Sequence, residues 1–278
     1  MPLRVEPDAT FRDALHGQAG PSGRALAGMW VCSGSPLVAE LCAGSGLDWL
    51  LVDAEHSPNG LESILAQLQA VHGYPVHVMV RPPVNDTVLI KQYLDLGVQN
   101  LLVPMVNSAA EAKAAVAATR YPPHGVRGVG SALARAARWN RIPDYLARAN
   151  ETISVTVQIE SAAAVDAVED ILAVDGVDAI FLGPSDLAAS MGLLGQQEHP
   201  QVRAAVEQCL AAATAAGKPA GVNAFNPATA RAYLAAGAAF VLVGADVALL
   251  ARGSEALAAE YVRPDPAVEP GGGSPASY

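Results

Sequence analysis

Basic charge is what this 278-residue chain most lacks: 17 Lys and Arg face 27 Asp and Glu, a net charge of −10. Phosphate contacts need a basic surface, so general nucleic-acid binding is excluded. An acidic protein can still hold an anion locally, through backbone N–H groups, one arginine or a metal ion. Cysteines are scarce: Cys32, Cys42 and Cys209 show no C-x-x-C spacing, and an odd, sparse set implies free thiols in a reducing compartment. No run of about 20 apolar residues is present, which excludes a membrane span. The opening MPLRVEPDAT has no apolar signal core, and the expected location is cytoplasmic. Lysines number three, Lys91, Lys113 and Lys218. Aromatic residues make up only 5% and charged residues 16%. What remains is a hydrophobic, alanine-rich chain of the kind that builds helix-rich α/β proteins.

Short aliphatic runs alternate with alanine-rich segments of helical character. Eight runs read as strands: 26–31, 48–53, 76–81, 100–105, 154–160, 178–183, 220–225 and 240–245. Their nearly continuous apolar character suits parallel strands covered on both faces. Helix signals fall between them: Ser35 before Pro36, Asp86 opening a helix that stops at Gly97, Asn107 or Ser108 opening one that runs to Thr119, and Pro227 after Asn226. Eight β–α units in this length predict one (β/α)8 TIM barrel over residues 24–262. A leader (1–23, with a short helix over 8–16) would precede it, and a disordered Pro/Gly/Ser-rich tail (263–278) would follow. A doubly wound open sheet is the alternative, but no Gly-rich dinucleotide fingerprint follows the first strand, so no nucleotide cofactor is expected. One connection, 121–150, is unusually long; it would cover the site or meet a neighbouring subunit.

Barrel chemistry sits at the C-terminal ends of strands. There the sequence puts Asp53, Glu55 and His56 (DAEHSPNG), Arg81, Glu160 with Gln158 two residues before it on the same face, and Ser185 with Asp186 in GPSDL. Glu160 and Asp186 end adjacent strands and would repel each other unless a cation lay between them. A hard divalent ion would resolve that repulsion and leave positions open for substrate oxygens. The plainer reading is a salt-bridged pair, with Asp186 capping a helix. Arg81 would hold a developing oxyanion, or form a structural salt bridge with Asp53 or Glu55. His56 is the proton-transfer candidate, against a histidine that merely caps or packs. Asp95 lies near a helix C-terminus, where the macrodipole disfavours an anion; a cationic partner such as His56, or plain solvation, would account for it. The GPSD backbone N–H groups either bind a carboxylate or simply cap the helix. The loop arginines Arg127, Arg135, Arg138 and Arg141 read as a solvated or subunit-facing set. No lysine ends a strand, which argues against Schiff-base chemistry.

WLLVDAEHSPN, VMVRPPVND, IKQYLDLG, LLVPMV, RYPPHGVRGVGSALARAARWNRIPDYL, VQIE and FLGPSDLA together resemble the HpcH/HpaI aldolase family, over about Gly28 to Tyr261. The resemblance implies a class II pyruvate aldolase using Mg²⁺, Mn²⁺ or Co²⁺, which reversibly cleaves 4-hydroxy-2-oxo acids to pyruvate and an aldehyde. It also implies a homo-hexamer, a trimer of dimers with the C-terminal helix exchanged between subunits. By motif, His56 would be the base, Arg81 would stabilise the enolate, and Asp95 would raise the basicity of the histidine. Glu160 and Asp186 would bind the metal; Gln158, Ser185 and Asp186 would contact substrate, with Trp30 near the site. DAEH and GPSD stand where close members have DGEH and GPAD, and AGVNAFNPATA departs more, where aldehyde selectivity would be set. Rival readings are a 2-keto-3-deoxy sugar-acid aldolase, a CoA-ester lyase (which would need a basic CoA-binding surface), and a non-catalytic barrel binding small acids.

Overall fold

The computed structural model describes residues 5–17 and 23–262. The expected tail, 263–278, and part of the leader lie outside the described residues. Eight parallel strands close into one barrel in chain order, with β1 pairing back to β8. They are β1 (Leu26–Val31), β2 (Trp49–Asp53), β3 (His77–Arg81), β4 (Asn100–Val103), β5 (Ser154–Ile159), β6 (Ala179–Leu182), β7 (Ala220–Asn223) and β8 (Phe240–Ala245). The architecture is therefore the (β/α)8 barrel. Several strands stop one or two residues short of the apolar runs in the sequence. The residues left over, Glu160 and Gly183 among them, leave the ladder and form the rim at the strands' C-terminal ends.

Helix α1 (Phe11–Gly17) comes before the barrel. Between strands lie α2 (Pro36–Ala43), α3 (Leu61–Ala70), α4 (Thr87–Asp95), α5 (Ala109–Thr119), α6 (Tyr145–Arg148), α7 (Ala162–Asp166), α8 (Val168–Leu172), α9 (Pro184–Ser190), α10 (Pro200–Ala215) and α11 (Pro227–Ala235); α12 (Asp246–Tyr261) closes the described chain. Local chemistry sets their starts. Asp86 accepts from the Val88 and Leu89 N–H groups, Asn226 from Ala228 and Thr229, Ser108 from Glu111 and Ser35 from Val38. Each occupies donors that a helix start leaves unpaired, typically worth about 1 kcal/mol.

Two apolar layers result. Aliphatic side chains from the outer strand faces pack under the helices. Inside the barrel, Trp49, Leu51, Met79, Leu102, Phe181, Phe240 and Leu242 fill the lumen. Gly28 is required there, because a Cβ would stand 2.5 Å from the Trp49 ring. Helix α1 plugs the N-terminal mouth: the fully buried Phe11 lies 5.2 Å from the Trp49 ring and 5.1 Å from Phe240. The Phe11 N–H donates to Asn100 Oδ1, which fixes the plug to β4. None of the three cysteines is disulfide-bonded.

The long connection runs along α4 and ends against the N-terminal mouth. Val5 N–H bonds the Arg141 carbonyl, and Arg12 reaches the carbonyls of Glu151 and Ile153. Arg127 departs from the expected solvated or subunit-facing set: it is buried within its own chain, 1% exposed. A buried guanidinium needs partners, and Arg127 takes Asp95 and the Tyr145 hydroxyl, each at 3.3 Å, with its cation 4.7 Å from the Tyr121 ring centre. This clamp holds the start of the connection to the end of α4.

Candidate active site

The C-terminal mouth is built on the β2–β3 pairing, which places Asp53 beside Arg81. Arg81 is 4% exposed; its Nε donates to Asp53 Oδ1 at 2.8 Å, and its Nη1 lies 2.8 Å from Glu55 Oε2. The guanidinium also lies 4.3 Å from the Trp30 ring centre, a cation–π contact. Asp53 organises the loop beyond β2 by accepting from the Glu55 and His56 N–H groups and the Ser57 hydroxyl. Burial pushes its pKa up, but Arg81 and these donors outweigh burial and hold it below the ordinary value. Glu55 goes the other way: burial raises it despite Arg81. His56 stands on the same loop with its side chain 67% exposed, its Nε2 3.8 Å from Glu55 Oε2.

Glu160 lies directly beyond β5, buried. Its Oε1 accepts the Met105 N–H at 2.7 Å and its Oε2 accepts Gln158 Nε2 at 2.5 Å. Gly183 permits this: a Cβ there would stand 2.9 Å from Glu160 Oε2 and 3.0 Å from Gln158 Nε2. Burial pushes the Glu160 pKa up to about 7; the Met105 N–H opposes the rise, and the charges of Asp186 and Glu55 add to it. Asp186 is exposed in the first turn of α9. It makes no capping bond, which corrects the plain reading of a helix cap, and no cation lies within ion-pair reach of it among the described residues. Ser185 precedes it, half-buried.

Most of the residues read from sequence thus gather at one mouth: Trp30, His56, Arg81, Gln158, Glu160, Ser185 and Asp186. Asp95 does not join them within the chain. It ends α4, at the opposite end of the barrel, and its partner is Arg127 rather than His56. Two contributors carry little sequence signal. Met105 adopts a left-handed φ of 52° and offers only its backbone N–H to Glu160. Asn223, at the end of β7, accepts the Trp30 indole N–H at 3.0 Å; its only mark is a polar residue in an apolar run.

Among the described residues, no three His, Cys, Asp or Glu side chains form a ready-made ligand set. The donor chemistry nonetheless fits a divalent ion held by two carboxylates. Glu160 is a buried carboxylate with like charges acting on it, and Asp186 has no counterion among the described residues; hard-cation sites of this kind take their other ligands from water and substrate oxygens.

The family model described as HpcH/HpaI aldolase/citrate lyase matches residues 26–253. A hydroxypyruvate/pyruvate aldolase of Deinococcus radiodurans is 53% identical over 278 residues, covering 99% of each chain. A 4-hydroxy-2-oxo-heptane-1,7-dioate aldolase of Salmonella dublin is 54% identical over 251 residues, 90% of this chain and 94% of that protein. Among solved structures, an HpcH/HpaI aldolase/citrate lyase family protein from Burkholderia cenocepacia J2315 superposes with a TM-score of 0.84 at 40% identity, covering 90% of this chain and 99% of that one.

Proposed function

This chain belongs to the HpcH/HpaI aldolase/citrate lyase family, and from that premise we propose that it catalyses reversible retro-aldol cleavage of 4-hydroxy-2-oxo acids to pyruvate and an aldehyde. It is an aldolase, a carbon–carbon lyase, as its relatives at 53–54% identity are named. One observation supports the assignment of its site: the buried Glu160, held by the Met105 N–H and the Gln158 amide, shares a mouth with Asp186, which has no ion-pair partner among the described residues, and with the clamped cation of Arg81.

Glu160 and Asp186 would hold the divalent ion, Mg²⁺, Mn²⁺ or Co²⁺. When bound, the ion supplies Lewis acidity that stabilises negative charge developing on the 2-oxo acid. Met105 and Gln158 hold the Glu160 carboxylate in one orientation, so little reorganisation is needed on binding. Arg81, fixed by Asp53, Glu55 and the Trp30 ring, sets a positive charge against the keto oxygen. The backbone at Ser185 and Asp186 and the Gln158 amide orient the substrate, with Trp30 beside them. His56, exposed on the loop that Asp53 organises, is the base that removes the acceptor hydroxyl proton in cleavage and moves the C3 proton of pyruvate. Since Asp95 is committed to Arg127 within its own chain, any support it gives to a histidine acts across a subunit boundary.

A homo-hexamer with α12 exchanged between partners is supported by apolar surface on the single chain. Leu249, Leu250 and Tyr261 on α12 are 65%, 71% and 75% exposed. The three scattered free cysteines support a reducing compartment, and we assign the cytoplasm as the location. No helix among the described residues is long and apolar enough to cross a membrane.

The test is a panel of aldehydes with pyruvate, and with hydroxypyruvate as a second donor, run with each of the three metals and with EDTA. EDTA is expected to abolish turnover, and Glu160→Ala and Asp186→Ala each to reduce it about 10²–10³-fold or more, the scale of losing a principal electrostatic stabiliser. Turnover that survives both treatments rejects the metal site.

A further inference from the structure

A second concave feature lies at the opposite end of the barrel, apart from the catalytic mouth. It is a cleft of about 510 Å³ between the N-terminal segment at Asp8, the turn before β3, the end of α4 and the tight turn Arg135–Ala137. Two arginines three residues apart, Arg135 and Arg138, line it, and both are half-buried. Arg135 Nη1 donates to the Leu96 carbonyl at 2.7 Å, which caps α4. Its other N–H groups, and the whole Arg138 guanidinium, find no hydrogen-bond partner among the described residues. Nor does any carboxylate there lie within ion-pair reach of either. Asp8, the one acidic side chain on the cleft wall, is turned to solvent, its carboxylate 4.0 Å from His72 Nδ1.

Helix capping accounts for one bond of Arg135 and nothing of Arg138. The backbone is nevertheless arranged to bring both here. Gly97, at φ +93°, leaves the space Arg135 occupies: a Cβ there would stand 2.8 Å from Nη1. Arg138, Trp139 and Asn140 are successive non-glycine residues in the left-handed region, at φ 47°, 52° and 62°. Side chains resist that conformation, and such strain persists where the surrounding structure imposes it. Burial, with the neighbouring charge of Arg138, pulls the Arg135 pKa down to about 10, against the opposing charge of Asp8. Two like charges are thus held together, partly desolvated, and the exposed Asp8 carboxylate acts on Arg135 only from beyond ion-pair reach, an arrangement that an incoming anion relieves.

We propose that this cleft binds a small dianion through Arg135 and Arg138, at a site separate from the catalytic one. A pair of planar guanidinium forks matches the oxygens of a phosphate or of paired carboxylates bidentately and favours two negative charges over one. The cleft is large enough for a metabolite-sized phosphate ester or dicarboxylate, and the two sources share this chemistry.

The test is calorimetric titration of the full-length, Mg²⁺-loaded protein with inorganic phosphate and, separately, with succinate. Wild type is compared with Arg138→Asn, which tolerates the left-handed backbone, and with Arg135→Gln. The expected result is saturable binding of at least one anion, weakened at least about tenfold in each variant, a difference of about 1.4 kcal/mol. Pyruvate proton exchange is expected to be unchanged in Arg138→Asn. Phosphate binding alone assigns a phosphorylated ligand; succinate binding alone assigns a dicarboxylate. Equal affinity in wild type and Arg138→Asn, or no binding of either anion to wild type, overturns the proposal. Because Arg135 also caps α4, the folded Arg138→Asn variant decides the matter if Arg135→Gln is unstable.

Discussion

The two mouths of the barrel are made by the same eight strands and have opposite characters. At the N-terminal mouth, Phe11, Trp49 and Phe240 meet in edge-on and tilted contacts and exclude water. At the C-terminal mouth, Asp53, Arg81, Gln158 and Glu160 are as thoroughly buried but carry charges and hydrogen bonds. The aromatic plug gains free energy by burial, at the cost of one buried indole N–H, that of Trp49, without a hydrogen-bond partner. The polar rim loses free energy unless its buried charges are matched, and Glu160 is a buried acid with two hydrogen bonds but no ion-pair partner among the described residues, its pKa pushed up to about 7. A barrel can leave a charge at one end without an ion-pair partner, because the other end and the helical layer supply its stability.

Three perturbations would sharpen that contrast or break it. The largest effect should come from His56→Ala: exchange of the pyruvate C3 protons, followed by NMR in D₂O, should fall about 10²–10⁴-fold. Pyruvate binding and the thermal midpoint should be retained, because the side chain is 67% exposed and makes no core contact. Unchanged exchange would remove His56 from the role of base. Next is Phe11→Ala at the other mouth, which should cost about 3–5 kcal/mol of unfolding free energy by denaturant titration. It should leave KM for pyruvate where it was; a changed KM with full stability would mean the two ends are not separate.

The smallest effect concerns Glu160 and pH. Its folded pKa of about 7 lies above the ordinary 4.5, so the folded state holds this proton more tightly than the unfolded state does. The contribution of this group is therefore fully present below the unfolded value and is lost as pH rises through about 7. In metal-free protein that loss should amount to at most about 3 kcal/mol. Denaturation curves across this range should flatten on saturation with Mg²⁺, and also in metal-free Glu160→Gln. A metal-free wild-type profile as flat as the variant's would show that Glu160 is not the strained acid of the site.

Much of the barrel was legible from the chain. Aliphatic runs of strand length, and caps such as Ser35, Asp86, Ser108 and Asn226, act within a few residues, where side-chain chemistry is decided locally. The same holds for acids and bases placed just beyond the strands, Glu160 and His56 among them. The order and type of elements, and which polar side chains reach the strands' C-terminal rim, therefore follow from sequence.

Partner choice does not. Asp95 faces Arg127, Trp30 bonds Asn223, and Met105 turns left-handed to give its N–H to Glu160. Each joins residues 32 to 193 positions apart. Such pairings depend on strand register and on closure of β8 against β1, which no local pattern encodes. Sequence alone determined a parallel barrel with acids, a histidine and an arginine on one rim. Tertiary structure decided which charges were matched, because a counterion is chosen by distance in space and by how much water packing leaves between the groups.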